Sequence, residues 1–395
     1  MNLLKHEIFK LLRSPAIYGF LIACLLINVF AIIGSSNSYQ IDYINDLSKT
    51  TGHVYGDEYL EKLLSVTDPD LLYYNWLHAE IVRAAESAHN VFAELDGGRV
   101  FRNMLQQDEI PFSETTIKIQ LWKYEKLAPV IEEKAERDDG ASVYFGPYSM
   151  WVHSRVFGGS SGIGIGMLTA MQTCLFFILI MLWTLGFENM AGTDLVVWST
   201  KTGRRLILHK VAAALLIGTA YFIVTYAVTY GITFAVNDFS QVWSQNVSAQ
   251  YNVVQDQLFG QIPFITWRNM TVGGYFFASA GIVLLNGIVA AFLTIPFALL
   301  IRNVYVAFCT IAGITVVHFI LFVFGIQPEG AVPFIWNFSM ILPLMQVINN
   351  GIWFTDGGIR MLLPHFETLY PLICLLLLCP VIFISTRKFL RKEIV

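Results

Sequence analysis

Six stretches of this chain are long enough and apolar enough to cross a bilayer as helices, and they constrain everything else. They cover about residues 16–33, 163–187, 206–236, 273–301, 304–326 and 369–386 of 395. A hydrocarbon core of roughly 30 Å takes about 20 consecutive apolar residues in helical form. A soluble core would instead scatter its apolar residues at helix or strand period. Only 14% of the residues are charged, against about 25% in soluble domains. The expected fold is an all-α polytopic membrane protein.

Residues 1–15 precede the first span. Leu4, Ile8, Leu11 and Leu12 share one helical face, and His6, Lys10 and Arg13 take the other. That pattern predicts a helix lying in the membrane interface, separated from the first span at Pro15. Basic residues then set the orientation. Lys5, Lys10 and Arg13, then Lys201, Arg204, Arg205 and Lys210, then Arg302, and finally Arg387, Lys388, Arg391 and Lys392 fall at alternate ends of the spans. All twelve therefore share one side, which the positive-inside rule makes cytoplasmic. Both termini, including the tail 387–395, are expected there, and a bacterial plasma membrane is the expected location.

Three connections face the other side. Residues 34–162 form an acidic segment in which 35–161 carry 20 Asp/Glu and 11 Lys/Arg. It reads as a mostly helical extracellular domain. One helix is expected over 69–96, closed by Gly97 and Gly98. A second is capped by Ser113 and runs through Arg137, with Ile117, Leu121, Tyr124 and Leu127 on one stripe. The aromatic stretch 143–157 is expected at the headgroup level. Residues 237–272 form a polar extracellular loop. The connection 327–368 is apolar but broken by Pro333, Pro343, Asn349, Asn350 and Gly351. It reads as a pair of re-entrant helices, since irregular backbone at membrane depth must be buried in protein or line a cavity.

Catalytic patterns are missing from the sequence. There is no G-x-x-x-x-G-K-[ST] and no H-E-x-x-H, so nothing predicts nucleotide, metal or cofactor binding by this chain; the Gly-rich tract 158–166 enters a span and reads as close helix packing or a flexible joint. The five cysteines all lie in apolar stretches, with no disulfide framework. Gln172, Asn286 and His318 are polar groups inside spans. They are candidates for lining a pathway, with hydrogen bonding between helices as the plainer role.

The connection 188–205 is more specific. Leu195, Val196, Val197 and Trp198 stand together in a short helix on a charged loop, and exposed apolar residues ringed by charge mark an interaction surface. Phe187-Glu188, Gly192-Thr193, the apolar helix from Leu195 to Ser199, Arg204-Arg205 and Lys210 together resemble the coupling-helix segment of ABC-2-type transporter permeases. The interfacial N-terminal helix, the six spans and the re-entrant pair resemble the same family. The large segment between the first two spans is closer to its branches with an extracellular domain.

The resemblance implies the membrane subunit of an exporter. Its partners would be a separate ABC ATPase that holds ATP and magnesium, a second permease subunit, identical or similar, and membrane lipid; nucleic acid has no role. Glu188, Gly192, Thr193, Leu195, Trp198, Arg204 and Arg205 would couple to the ATPase. Glu188 would accept bonds from its own loop or from the partner, while Lys210 would have phospholipid as an alternative partner. Exporters of lipid, peptide, drug or ion all fit. A membrane-anchored sensor or binding protein is the alternative, and an integral membrane enzyme a more distant one.

Overall fold

The computed structural model describes residues 3–35, 38–52, 57–67, 97–106, 113–137, 164–199, 206–240, 242–248, 253–256, 260–324, 332–358 and 361–391, with residues 78, 79, 82, 92, 95, 153, 156 and 157 between them. Helix α1 (Leu3–Leu12) ends in a turn closed by Ser14 N–H on Leu11 O. Pro15 then opens α2 (Pro15–Ser35), a first-turn position where its missing N–H is no loss. Among the described residues of the segment between the first two spans, four helices follow: α3 (Ser38–Thr51), α4 (Asp57–Leu64), α5 (Gly97–Met104) and α6 (Glu114–Arg137). Ser113 caps α6 as its sequence predicts, its Oγ accepting from Thr116 N–H at 3.2 Å. Gly97 and Gly98 open a helix here, and most of the expected helix 69–96 lies outside the described residues.

The bundle continues with α7 (Ile165–Met190), the short α8 (Asp194–Ser199), α9 (Leu206–Val236), α10 (Val272–Leu300) and α11 (Val304–Phe324). Helices α12 (Val332–Ser339) and α13 (Pro343–Gln346) lead through a 3-10 turn (Val347–Ile352) to α14 (Phe366–Arg391). Among the described residues six helices, α2, α7, α9, α10, α11 and α14, are long and apolar enough to span a membrane. The last begins before the expected 369 and carries Arg387, Lys388 and Arg391 within its length. The connection 237–272, expected as a loop, also contains an antiparallel hairpin, β1 (Val253–Asp256) with β2 (Gly260–Pro263), which pairs Val253 with Pro263 and Asp256 with Gly260.

The bundle is built around α7, 72% of whose apolar window is buried, against 11% for α11. Its Phe177 ring is the central wedge. A Cβ at Gly218 of α9 would stand 2.5 Å from that ring, and one at Gly287 of α10 would stand 2.6 Å from it. Both helices come this close because those positions lack a side chain, the small-residue packing that membrane helices rely on. One residue earlier, Phe176 stacks on Tyr221 of α9 with centroids 3.8 Å apart, and Phe20 of α2 lies 5.6 Å from Phe176.

Two ends of the bundle can be told apart. At the near end lie α1, the close of α7, α8, the start of α9 and Arg302, joined by side-chain contacts. At the far end the segment 38–157, the connection between α9 and α10, and the 3-10 region contact one another. Valine at Gly218 or Gly287 should therefore lower stability by about 1–3 kcal/mol, the usual cost of overpacking. A fall in melting temperature checks this. Alanine at Gly231 or Gly281, where a Cβ meets nothing within 4 Å, should leave the melting temperature unchanged.

Candidate functional site

The near end holds a charge cluster removed from solvent. Lys210, in the second turn of α9, is fully buried, and its Nζ donates to both carboxylate oxygens of Glu188 at 2.6 Å and to Thr184 O at 2.8 Å. Glu7 of α1 stands 3.7 Å from the same ammonium and 2.7 Å from Lys10, while Lys10 reaches Glu188 at 3.4 Å and lies 4.3 Å over the Phe187 ring. Two carboxylates and two ammoniums thus balance one another in a small volume. Desolvating such charges is costly, and the cost is offset only when each one keeps close partners. The cluster ties three elements, α1, α7 and α9, into one register.

This arrangement corrects two expectations. Lys210 does not face phospholipid; it is the most enclosed member of the cluster. Glu188 points into the bundle to Lys10 and Lys210, while its loop is held by its backbone carbonyl, which accepts from Thr193 N–H at 3.0 Å. Glu7 was not among the expected site residues. Its signal was present: a carboxylate at i+3 from Leu4 and one residue before Ile8, on the face that packs against α9. The exposed apolar residues of α1 are instead Leu3, Phe9 and Leu12.

Helix α8 hangs directly from this cluster. Gly192 has φ +67, a left-handed conformation that turns the chain out of α7, and glycine takes it without strain. Asp194 of the first turn is buried and pairs with Arg302, at the join of α10 and α11, at 2.9 Å. Leu195 and Val196 stay exposed, at 52% and 71%. Trp198 lies in α8, and its side chain is outside the described residues, as are Arg204 and Arg205 entirely.

The three polar span residues have separate partners. Gln172 Nε2 donates to Asn28 Oδ1 of α2 at 2.8 Å, and Asn28 Nδ2 donates to Thr229 Oγ1 of α9 at 2.8 Å. This buried chain joins three helices, the interhelical bonding that was the plainer reading. Asn286 donates to Ile282 O in its own helix, and His318 stacks 5.2 Å from Phe338 of α12. Among the described residues no group of three or more His, Cys, Asp or Glu is placed to hold a metal ion.

The far end is joined by side chains that donate to backbone. His153 is buried, and its ring bonds Gly351 O through Nε2 at 2.7 Å among Phe157, Phe264 and Tyr275. Asn350 donates to Phe157 O, and Tyr275 OH donates to Asn350 O at 3.2 Å. His153, Val156 and Phe157 are thus packed into protein, where the aromatic stretch was expected at headgroup level. Burial pushes the His153 pKa down from 6.5 to about 4. No family model, curated protein or solved structure matches the chain.

Lys210→Met should destabilise the protein by about 3–5 kcal/mol, because it leaves Glu188 buried beside a single remaining lysine. Thermal unfolding in detergent checks this, and a Glu188→Leu, Lys210→Met double variant should recover much of the loss. His153 generates a pH dependence of stability. The unfolded chain binds its proton below 6.5 and the folded chain only below about 4. Stability from this group is therefore full above pH 6.5 and falls as pH drops through that window, by about 3 kcal/mol in all. His153→Gln should abolish that part of the pH profile, so the melting-temperature gap between wild type and variant should shrink from pH 7 to pH 4.5.

Proposed function

We propose that this chain is the membrane subunit of an ATP-driven exporter, with α8 as the element that a separate ABC-type ATPase grips. One observation carries this reading: α8 presents Leu195 and Val196 to the outside while its first turn is fixed to the bundle by Asp194–Arg302. A helix that served only as a connection gains nothing from exposed apolar residues, whereas one that docks in a groove of a partner needs them. Force applied to α8 would pass through the short Gly192 turn to Glu188. The cluster would then carry it to α1 and α9 together.

In this reading the near end faces the cytoplasm, as the distribution of Lys and Arg requires. The membrane is the plasma membrane of a bacterium, the protein pairs with a second permease subunit, and ATP and magnesium reside on the ATPase. Transport then needs two global states that differ in their contacts at this surface. Glu188 acts from inside the bundle as a positioning residue, and Gly192 and Thr193 set the angle at which α8 leaves α7.

The test is co-purification with the P-loop ATPase from native membranes, followed by ATP turnover in lipid. Trp198→Ala should weaken ATPase binding by about 2 kcal/mol or more, the effect of losing a buried aromatic anchor. Val196→Asp, at an exposed position, should have a similar effect without lowering the melting temperature. Full ATPase binding and full stimulation of turnover by both variants would sink the reading, and would favour a membrane-anchored receptor with a helical external segment.

A further inference from the structure

Another buried lysine lies at the far end, and its partners among the described residues are of another kind. Lys123 of α6 is fully buried, and its Nζ stands 2.7 Å from Asp356 O, 3.0 Å from Gly358 O and 2.8 Å from Met361 O. An ammonium carries three N–H donors, and here three backbone carbonyls converge on it from a segment more than 230 residues away in sequence. Gln120, one turn earlier on α6, donates to the Met361 carbonyl as well, at 3.3 Å. Lys118 of the same helix stays exposed, paired with Glu114, and Lys134 is buried with its ammonium 5.7 Å from the Phe92 ring centroid.

The carbonyl ring is a built structure. Gly357 and Gly358 have φ of +70 and +69. A Cβ at Gly357 would lie 2.3 Å from the Met361 side chain, so position 357 admits glycine alone without a shift. Asp356 Oδ1 accepts from Gly358 N–H at 3.2 Å, and Thr355 Oγ1 accepts from Gly357 N–H at 3.1 Å. These bonds hold the turn that carries the Asp356 and Gly358 carbonyls. Neutral carbonyl oxygens at 2.7–3.0 Å from a single positive charge are the coordination that replaces the water shell of potassium. Calcium and magnesium take carboxylate oxygens at shorter distances, about 2.0–2.6 Å.

We propose that the carbonyls of Asp356, Gly358 and Met361 form a binding site for a monovalent cation of ammonium or potassium size, which Lys123 fills as a tethered ligand. Helix α6 thereby straps the turn that precedes the last span. When the lysine withdraws, the turn loses its central charge and either opens or takes an ion from solution. The strap is a feature of the chain itself and does not depend on what the bundle transports.

Hydrogen exchange of the full-length protein in nanodiscs tests this, read at Gly358, Met361 and Leu362 in buffer whose cation is choline. Lys123→Ala and Lys123→Met should each exchange about tenfold faster than wild type there, the factor expected from losing charge-assisted bonds, with α7 unchanged. Potassium or methylammonium should restore protection to Lys123→Ala. Neither should restore it to Lys123→Met, whose apolar side chain ends one atom short of the ring and blocks the way into it, and lithium should restore neither variant. Unchanged exchange in Lys123→Ala, no rescue by either ion, or equal rescue of Lys123→Met each overturns the site. The unmodified protein gives a second test that needs no variant. Raising potassium should speed acetylation of Lys123 by an amine reagent relative to exposed Lys118, and lithium at the same strength should not. Equal rates in the two salts overturn the proposal even if the variants do not fold.

Discussion

The bond on which the near end depends is Lys210 to Glu188, because a charge that is fully enclosed fixes everything that must neutralise it. At 2.6 Å to both carboxylate oxygens, the ammonium sets the depth of α9 against α7 to within a fraction of a helical turn. Glu188 then carries a surplus of lone pairs, and Lys10 uses one; Lys10 in turn brings Glu7, and with it α1. Each partner is required by the one before. Hydrophobic packing alone would let α1 slide or roll on the surface of α9, since lipid competes equally for apolar side chains. The ion cluster removes that freedom.

The far end solves a different problem by different means. Between the 3-10 turn and α14 the described backbone is irregular, and its buried carbonyls, with those of Asn350 and Gly351, need donors from other segments. The donors come from elsewhere in the sequence: Lys123 and Gln120 from α6, His153 from the segment before α7, Tyr275 from α10. The segment between α2 and α7 is thus part of the bundle's own hydrogen-bond network. Among its described residues, Lys123, Gln120 and His153 are buried and bond backbone oxygen.

Much of this was legible in the sequence and some was not, for identifiable reasons. The span 206–236 coincides with α9, and Ser113 caps α6 as expected, because apolar length and capping chemistry are local properties. Lys210 misled because the positive-inside pattern treats every lysine at the end of a span alike, whether it faces headgroups or another helix. Glu7 stood in the middle of an apolar face, and a carboxylate placed so is a request for a cation that only the fold identifies. In α6 the buried positions include Ile117, Gln120, Lys123, Leu127, Ile131 and Lys134, a stripe of correct helical period. The apolar reading chose Ile117, Leu121, Tyr124 and Leu127, which do pack in apolar clusters, and passed over the polar anchors Gln120 and Lys123 beside them. Those anchors contact residues beyond 350, which no periodicity reveals. The hairpin β1–β2 was missed in a connection read as polar loop.

The two ends are connected through α7, and its construction makes it a stiff link. At the near end it terminates in Glu188. At the far end a Cβ on Gly166 would stand 2.3 Å from the carbonyl oxygen of Phe157, the same carbonyl that receives Asn350. Between them Phe177 is wedged against Gly218 and Gly287, and Gln172 is bonded to Asn28. A helix held at four levels cannot bend locally without opening one of them, so a displacement of its base is passed on as a tilt or shift of the whole rod. Close-packed interfaces of this kind respond by changing between discrete arrangements, not by gradual deformation. The first far-end contact to feel a shift of α7 is therefore Phe157 with Asn350. That contact lies one residue from Gly351, where His153 bonds, and it leads along the chain to the carbonyls held by Lys123. The charge cluster at one end and the carbonyl ring at the other are separated by the full thickness of the bundle. They are nevertheless joined by a single helix and one short run of backbone, which is the physical requirement for one end to report the state of the other.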